Sequence, residues 1–161
     1  MASSATSAGI LVFRGRGERL EVLLVHPGGP YWARKDEGAW SIPKGEVDDG
    51  EGPIACALRE LEEELGSDLG LRAEDLIELG SIRQKGGKTV LCWAAEGEFD
   101  PAELHSETFS MEWPPRSGVE REFPEVDRAE WFRVEGARTK INPAQAELLD
   151  RLTASPNGCN A

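Results

Sequence analysis

Positive charge, cysteine and long apolar runs are all scarce in this sequence. It has 18 Lys and Arg against 30 Asp and Glu, for a net charge of −12. Nucleic-acid phosphates and anionic membranes are both held by clustered Lys and Arg, so neither is an expected partner. No stretch approaches the ~20 apolar residues of a membrane helix. Residues 1–8 are small and polar, without the apolar segment of a secretion signal, and a cytoplasmic location is expected. Three cysteines, Cys56, Cys92 and Cys159, are widely spaced and odd in number, which fits reduced thiols better than a disulfide frame or a zinc site. Cys56 and Cys92 fall in apolar patterns and are expected to fill the core. His26 and His105 stand alone and are assigned no role.

At 161 residues the chain is long enough for one domain with a sizeable core, placed at residues 8–153 with flexible termini at 1–7 and 154–161. Apolar runs at 8–13 and 20–26 flank Arg14-Gly15-Arg16-Gly17-Glu18 and predict a hairpin. Residues 27–39 form a loop rich in Gly and Pro that exposes Tyr31 and Trp32. A short strand at 40–42 then feeds a Pro43-Lys44-Gly45 turn. Strands are predicted at 76–82, 89–95, 108–113 and 129–134, and a final helix at 143–152. The expected class is α/β, with a mixed sheet covered by helices on both sides.

The most informative stretch runs from Gly45 to Gly66. Pro53 suits the first turn of a helix, where its missing N–H costs nothing. On that helix Ile54, Ala57, Leu58, Leu61 and Leu65 make an apolar stripe, while Glu60, Glu63 and Glu64 stand at i, i+3 and i+4 on another face. Three carboxylates so close repel one another unless something positive neutralises them, and a hard divalent cation with oxygen ligands, Mg²⁺ or Mn²⁺, is the expected partner. Glu62 points away from that face and reads as an ordinary surface residue.

The full spacing, Gly45, Glu51, Arg59, Glu60, Leu61, Glu63, Glu64 and Gly66, resembles the Nudix box. Ser67 departs from it, standing where the family has an aliphatic residue. The resemblance implies an α/β/α sandwich and a metal-dependent hydrolase of phosphoanhydrides. It implies Glu60 and Glu64 as metal ligands with Glu63, the carbonyl of Gly45 as a further ligand, and an Arg59–Glu51 pair that orients the loop. A further carboxylate usually comes from a later loop ahead of a strand that often carries Trp. Glu125 is favoured here, by its spacing to Trp131, as an extra ligand or as the base that deprotonates the water, with Glu122 and Glu60 as competitors.

Lys44 is expected to touch phosphate, and Tyr31 and Trp32 to offer stacking surfaces for a base. Trp40 and Trp93 lie in strand patterns and are expected in the core. The Pro43-Lys44-Gly45 turn resembles that of the family's dinucleoside polyphosphate hydrolases, although Glu46 stands where those have His. Dinucleoside polyphosphates are therefore the expected substrate class. A nucleoside triphosphate pyrophosphatase that cleans the nucleotide pool and a non-catalytic nucleotide-binding regulator are the alternatives. The sequence assigns no oligomeric state.

Overall fold

The structure, a computed structural model, describes residues 6–155. Six strands form one sheet, five of them in the order β4-β5-β1-β2-β8: β1 (Thr6–Arg14), β2 (Glu21–Pro27), β4 (Ile77–Gln84), β5 (Lys88–Glu96) and β8 (Val126–Arg133). The sheet is mixed because β1 runs parallel to β5 and every other pairing is antiparallel. A short strand, β3 (Lys44–Glu46), pairs with the start of β1, Ala8 facing Gly45.

β1 is apolar along its length because it is buried on both faces. Ala8, Ile10 and Val12 point into one core with Leu23, Cys56, Ala57, Leu61 and Leu65. Leu11 and Phe13 point into the other with Leu24, Trp40, Ala137, Leu148, Leu149 and Leu152. The first core is closed by α1 (Pro53–Leu65), the second by α2 (Val134–Lys140) and α3 (Glu147–Ala154). This is the α/β/α sandwich expected from the sequence. Burying Leu61 or Leu65 in full contributes about 1.5–3 kcal/mol each, so the apolar stripe of α1 fixes which way its carboxylates face.

Several expectations shift. Residues 40–42 make only isolated bridges, Ser41 to Val25 and Trp40 to Ile141, and the strand is β3, inside the expected turn. The 108–113 strand exists as β6 (Thr108–Glu112), but it leaves the main sheet and pairs with β7 (Glu120–Pro124), a strand too polar to announce itself. The final helix is a 3-10 turn at Pro143–Gln145 followed by α3, and α2 was not expected, since Gly136 and Thr139 weaken its helical signal. Ile54 is partly exposed, and Cys56 takes the buried place beside β3. Cys92 is buried as expected, and Cys159 lies outside the described residues. The ordered fold reaches from Thr6 to Ala154, slightly beyond 8–153; residues 1–5 and 156–161 lie outside the described residues. Among the described residues no helix is long and apolar enough to cross a membrane.

Candidate active site

The helix α1 starts at Pro53 and ends on Gly66, whose left-handed conformation (φ 84°) lets its N–H cap the carbonyl of Glu62. The carbonyl of His105 crosses so close to Gly66 that an added Cβ would sit 2.5 Å from it. The 104–107 segment is tied to the helix by two further bonds, His105 N–H to the carbonyl of Leu65 (3.0 Å) and Glu107 N–H to that of Glu63 (2.9 Å). The carbonyl of Glu107 in turn accepts from the N–H of Glu125 (2.8 Å). Backbone bonds thus carry Glu125 to the carboxylate face of α1.

A cavity of 520 Å³ opens there, lined by Lys44, Gly45, Glu60, Glu63, Glu64, Glu107 and Glu125 among others. Gly45 is required by close approach. A Cβ on it would lie 2.0 Å from Cδ of Glu60 and 2.2 Å from its Oε1, so only glycine lets that carboxyl rest against the β3 backbone. Arg59 holds Glu51 through two bonds, Nε to Oε2 at 2.8 Å and Nη2 to Oε1 at 2.9 Å. Its Nη1 also donates to Glu60 (3.0 Å) and Glu63 (2.9 Å). The Glu51 carboxylate also accepts from the backbone N–H of Asp48 (3.0 Å), closing the loop before the helix.

The electrostatics follow from burial. Desolvation, reinforced by Glu60 and Glu125, raises the Glu64 carboxyl to about 8 against the opposing pull of Lys44. Desolvation and then the charge of Glu63 raise Glu60, with Arg59 opposing. Desolvation, Glu107 and Glu63 raise Glu125. The hydrogen bonds from Arg59 draw Glu51 down to about 2. Carboxyls crowded on one wall offer oxygen donors to a hard cation, whose charge would favour their ionised form, so the donor set fits a divalent metal ion chemically. Among the described residues no three acidic, His or Cys side chains already converge as a cage, and Arg59 draws Glu60 and Glu63 toward itself.

A second cleft, of 340 Å³, shares Lys44, Glu64 and Glu125 with the first and extends past Trp32, Ser41, Gln84, Asn142 and Gln145. Trp32 is 40 % exposed, with the ammonium of Lys35 4.9 Å from the centre of its ring. Tyr31 does not border this cleft. It is 58 % exposed and sets its ring edge-on to Trp113 at 5.3 Å. Trp40 is buried and Trp93 partly buried against the core on the α1 side. Glu122 stays on the β6–β7 ribbon, accepting from the hydroxyl of Thr108 (2.8 Å), and does not line the carboxylate cavity. Glu107 does line it and was not anticipated. Its only signal is the register of β6 on β7, Thr108 opposite Pro124, which sets Glu107 across from Glu125. Sequence spacing alone does not reveal that register.

Comparison with known proteins bears on the family and the fold. The NUDIX domain family model matches residues 4–152. The bis(5′-nucleosyl)-tetraphosphatase (asymmetrical) of Rattus norvegicus is 42 % identical over 64 residues, covering 35 % of this chain and 41 % of that enzyme. The RNA pyrophosphohydrolase of Agrobacterium fabrum is 29 % identical over 127 residues, covering 71 % of this chain and 69 % of that one. Among solved structures, a C. elegans Ap4A hydrolase binary complex superposes with TM-score 0.61 at 23 % identity, over 92 % of this chain and 96 % of that chain. The NUDIX domain of Shewanella oneidensis NrtR in complex with ADP ribose reaches TM-score 0.62 at 15 % identity, over 94 % and 87 %. Likeness at these identities speaks for the fold alone. Since the family model covers all but a few residues at each end, the chain belongs to the Nudix family.

Proposed function

We propose that the chain is a divalent-metal-dependent pyrophosphohydrolase, and that its substrates are dinucleoside polyphosphates. The observation that carries this reading is the continuity of the two cavities through Lys44, Glu64 and Glu125. One cavity has the carboxylates for phosphoanhydride chemistry; the other has room and an aromatic wall for a base.

Glu60, Glu64 and Glu63, with the carbonyl of Gly45 and with Glu125, would hold the cation. When bound, such an ion neutralises the non-bridging phosphate oxygens and acidifies the attacking water. The remaining work falls to the side chains. Lys44 places an ammonium between the two cavities, where a phosphate chain would pass. Glu125, held above the helix by the backbone of Glu107, accepts the proton of the attacking water. Arg59 and Glu51 keep the 46–52 loop and the carboxylates in register. Trp32 offers the stacking surface, and Tyr31 supports the Trp113 end of the ribbon. Attack at one phosphorus of the bridge would release two nucleotides.

The similarity to the rat tetraphosphatase supports this substrate class over 64 residues and leaves the rest of the chain to be tested. The test is kcat/KM with Mg²⁺ for diguanosine and diadenosine tetraphosphates, ADP-ribose and an oxidised guanine triphosphate. Preference for the dinucleotide, with two nucleotides as products, is expected. A preference for the triphosphate with release of pyrophosphate would transfer the chain to the pool-cleaning class. No turnover of any phosphoanhydride would leave a binding-only regulator.

A further inference from the structure

The cleft beside the carboxylates carries two side-chain amides whose orientation is not free. Gln145 is fully buried, and its Oε1 accepts from the backbone N–H of Ile42 at 3.0 Å. A backbone N–H can only donate, so the oxygen of Gln145 must face Ile42 and its nitrogen must face the other way. That nitrogen donates to the hydroxyl of Ser41 (3.0 Å) and to Oε1 of Gln84 (2.9 Å). Ser41 passes its own proton to the carbonyl of Ile42 (2.7 Å). Gln84 therefore turns its oxygen toward Gln145, and its NH₂, on the other side of the amide, has no partner among the described residues. Asn142 is fixed by the same logic, because its Oδ1 accepts from the N–H of Ala144 (2.9 Å) and caps the 3-10 turn. Both residues line the cleft, and each has an NH₂ with no partner among the described residues.

An unconstrained Asn or Gln can pair with adenine by accepting from N6 and donating to N7. An amide whose oxygen is turned to an internal donor meets a base with its NH₂, which N6, itself a donor, does not match. Guanine presents two acceptors, O6 and N7, on the corresponding edge. We infer that Gln84 and Asn142 make this cleft selective for a 6-oxopurine base such as guanine over adenine. The inference rests on the proposed reading of the cleft as the base site, and names which base that site prefers.

Calorimetric titration of the full chain with GMP and with AMP tests it without any turnover. Wild type is expected to bind GMP about tenfold tighter than AMP, the scale of one good bidentate base contact. Gln84→Glu keeps an oxygen for Gln145, and Asn142→Asp keeps the cap on Ala144, so both preserve the internal bonds while replacing the outward NH₂ with an acceptor. Each should shrink or reverse the GMP preference. Equal affinities in wild type, tighter AMP binding, or a ratio unmoved by both variants would overturn the inference. Diguanosine and diadenosine tetraphosphates then separate the two levels. Hydrolysis of both at equal kcat/KM discards the base selectivity and keeps the pyrophosphohydrolase, whereas a GMP preference with hydrolysis of neither does the reverse.

Discussion

Arg59 grips Glu51 with two bonds of 2.8 and 2.9 Å, and with its remaining nitrogen reaches Glu60 and Glu63 on its own helix. One guanidinium thus fixes the loop to the helix and counters part of the charge on the carboxylate face. Lysine, with a single ammonium, cannot make both contacts. Arg59→Lys is expected to lower kcat while the fold stays intact by circular dichroism.

The same pair sets an acid limit on stability. Glu51 is drawn from its ordinary 4.5 to about 2. A depressed carboxyl stabilises the folded state above its ordinary value, and that contribution is lost as pH falls through the folded one. The melting-temperature gap between wild type and Glu51→Gln should be widest above pH 4.5 and close as the pH approaches about 2. A gap that stays constant across this window would remove the pair from the stability balance.

Glu64 behaves in the opposite sense. Burial, with Glu60 and Glu125, raises it from 4.5 to about 8. In chelator its contribution to stability is full below 4.5 and is lost as pH rises through about 8, and Glu64→Gln should flatten that decline. Binding of Mg²⁺ or Mn²⁺ to wild type should release protons and tighten as pH rises across the same window, because a carboxyl must ionise to ligate. Calorimetry in buffers of different ionisation enthalpy reads this directly, and pH-independent binding without proton release would place the cation elsewhere.

Glu125 and Glu122 lie three residues apart and meet different surroundings, one at the cavity and the other on Thr108. Glu125→Gln is expected to lose kcat by roughly 10²–10⁴-fold, as for removal of a general base, with Glu122→Gln near wild type. Equal tolerance at the two positions would return the role to Glu60.

Gly45→Ala would drive a methyl group into the Glu60 carboxyl, 2.0 Å from its Cδ. Displacing that side chain by about 1 Å should cost on the order of 10²-fold in kcat. Steady-state rates of the folded variant at saturating Mg²⁺ check this, and a normal kcat would show that Glu60 can stand off β3 without loss.

The α1 face was legible in the sequence because everything that builds it is local. Pro53 starts the helix, Gly66 ends it, and the i, i+3, i+4 spacing puts Glu60, Glu63 and Glu64 on one side wherever the helix lies. The β1–β2 hairpin and the apolar strand β5 were readable for the same reason: their patterns are their own. What lay beyond the sequence was set by pairings between distant segments. The polar ribbon β6–β7 exists through its register, and that register places Glu107 opposite Glu125. The separation of Trp32 from Tyr31 depends on where Trp113 comes to rest. The orientations of Gln84 and Gln145, 61 residues apart, depend on a single backbone N–H at Ile42. Local spacing determined which atoms share a helix face; tertiary packing decided which atoms from elsewhere meet them, because hydrogen bonds and burial between remote segments leave no period in the sequence.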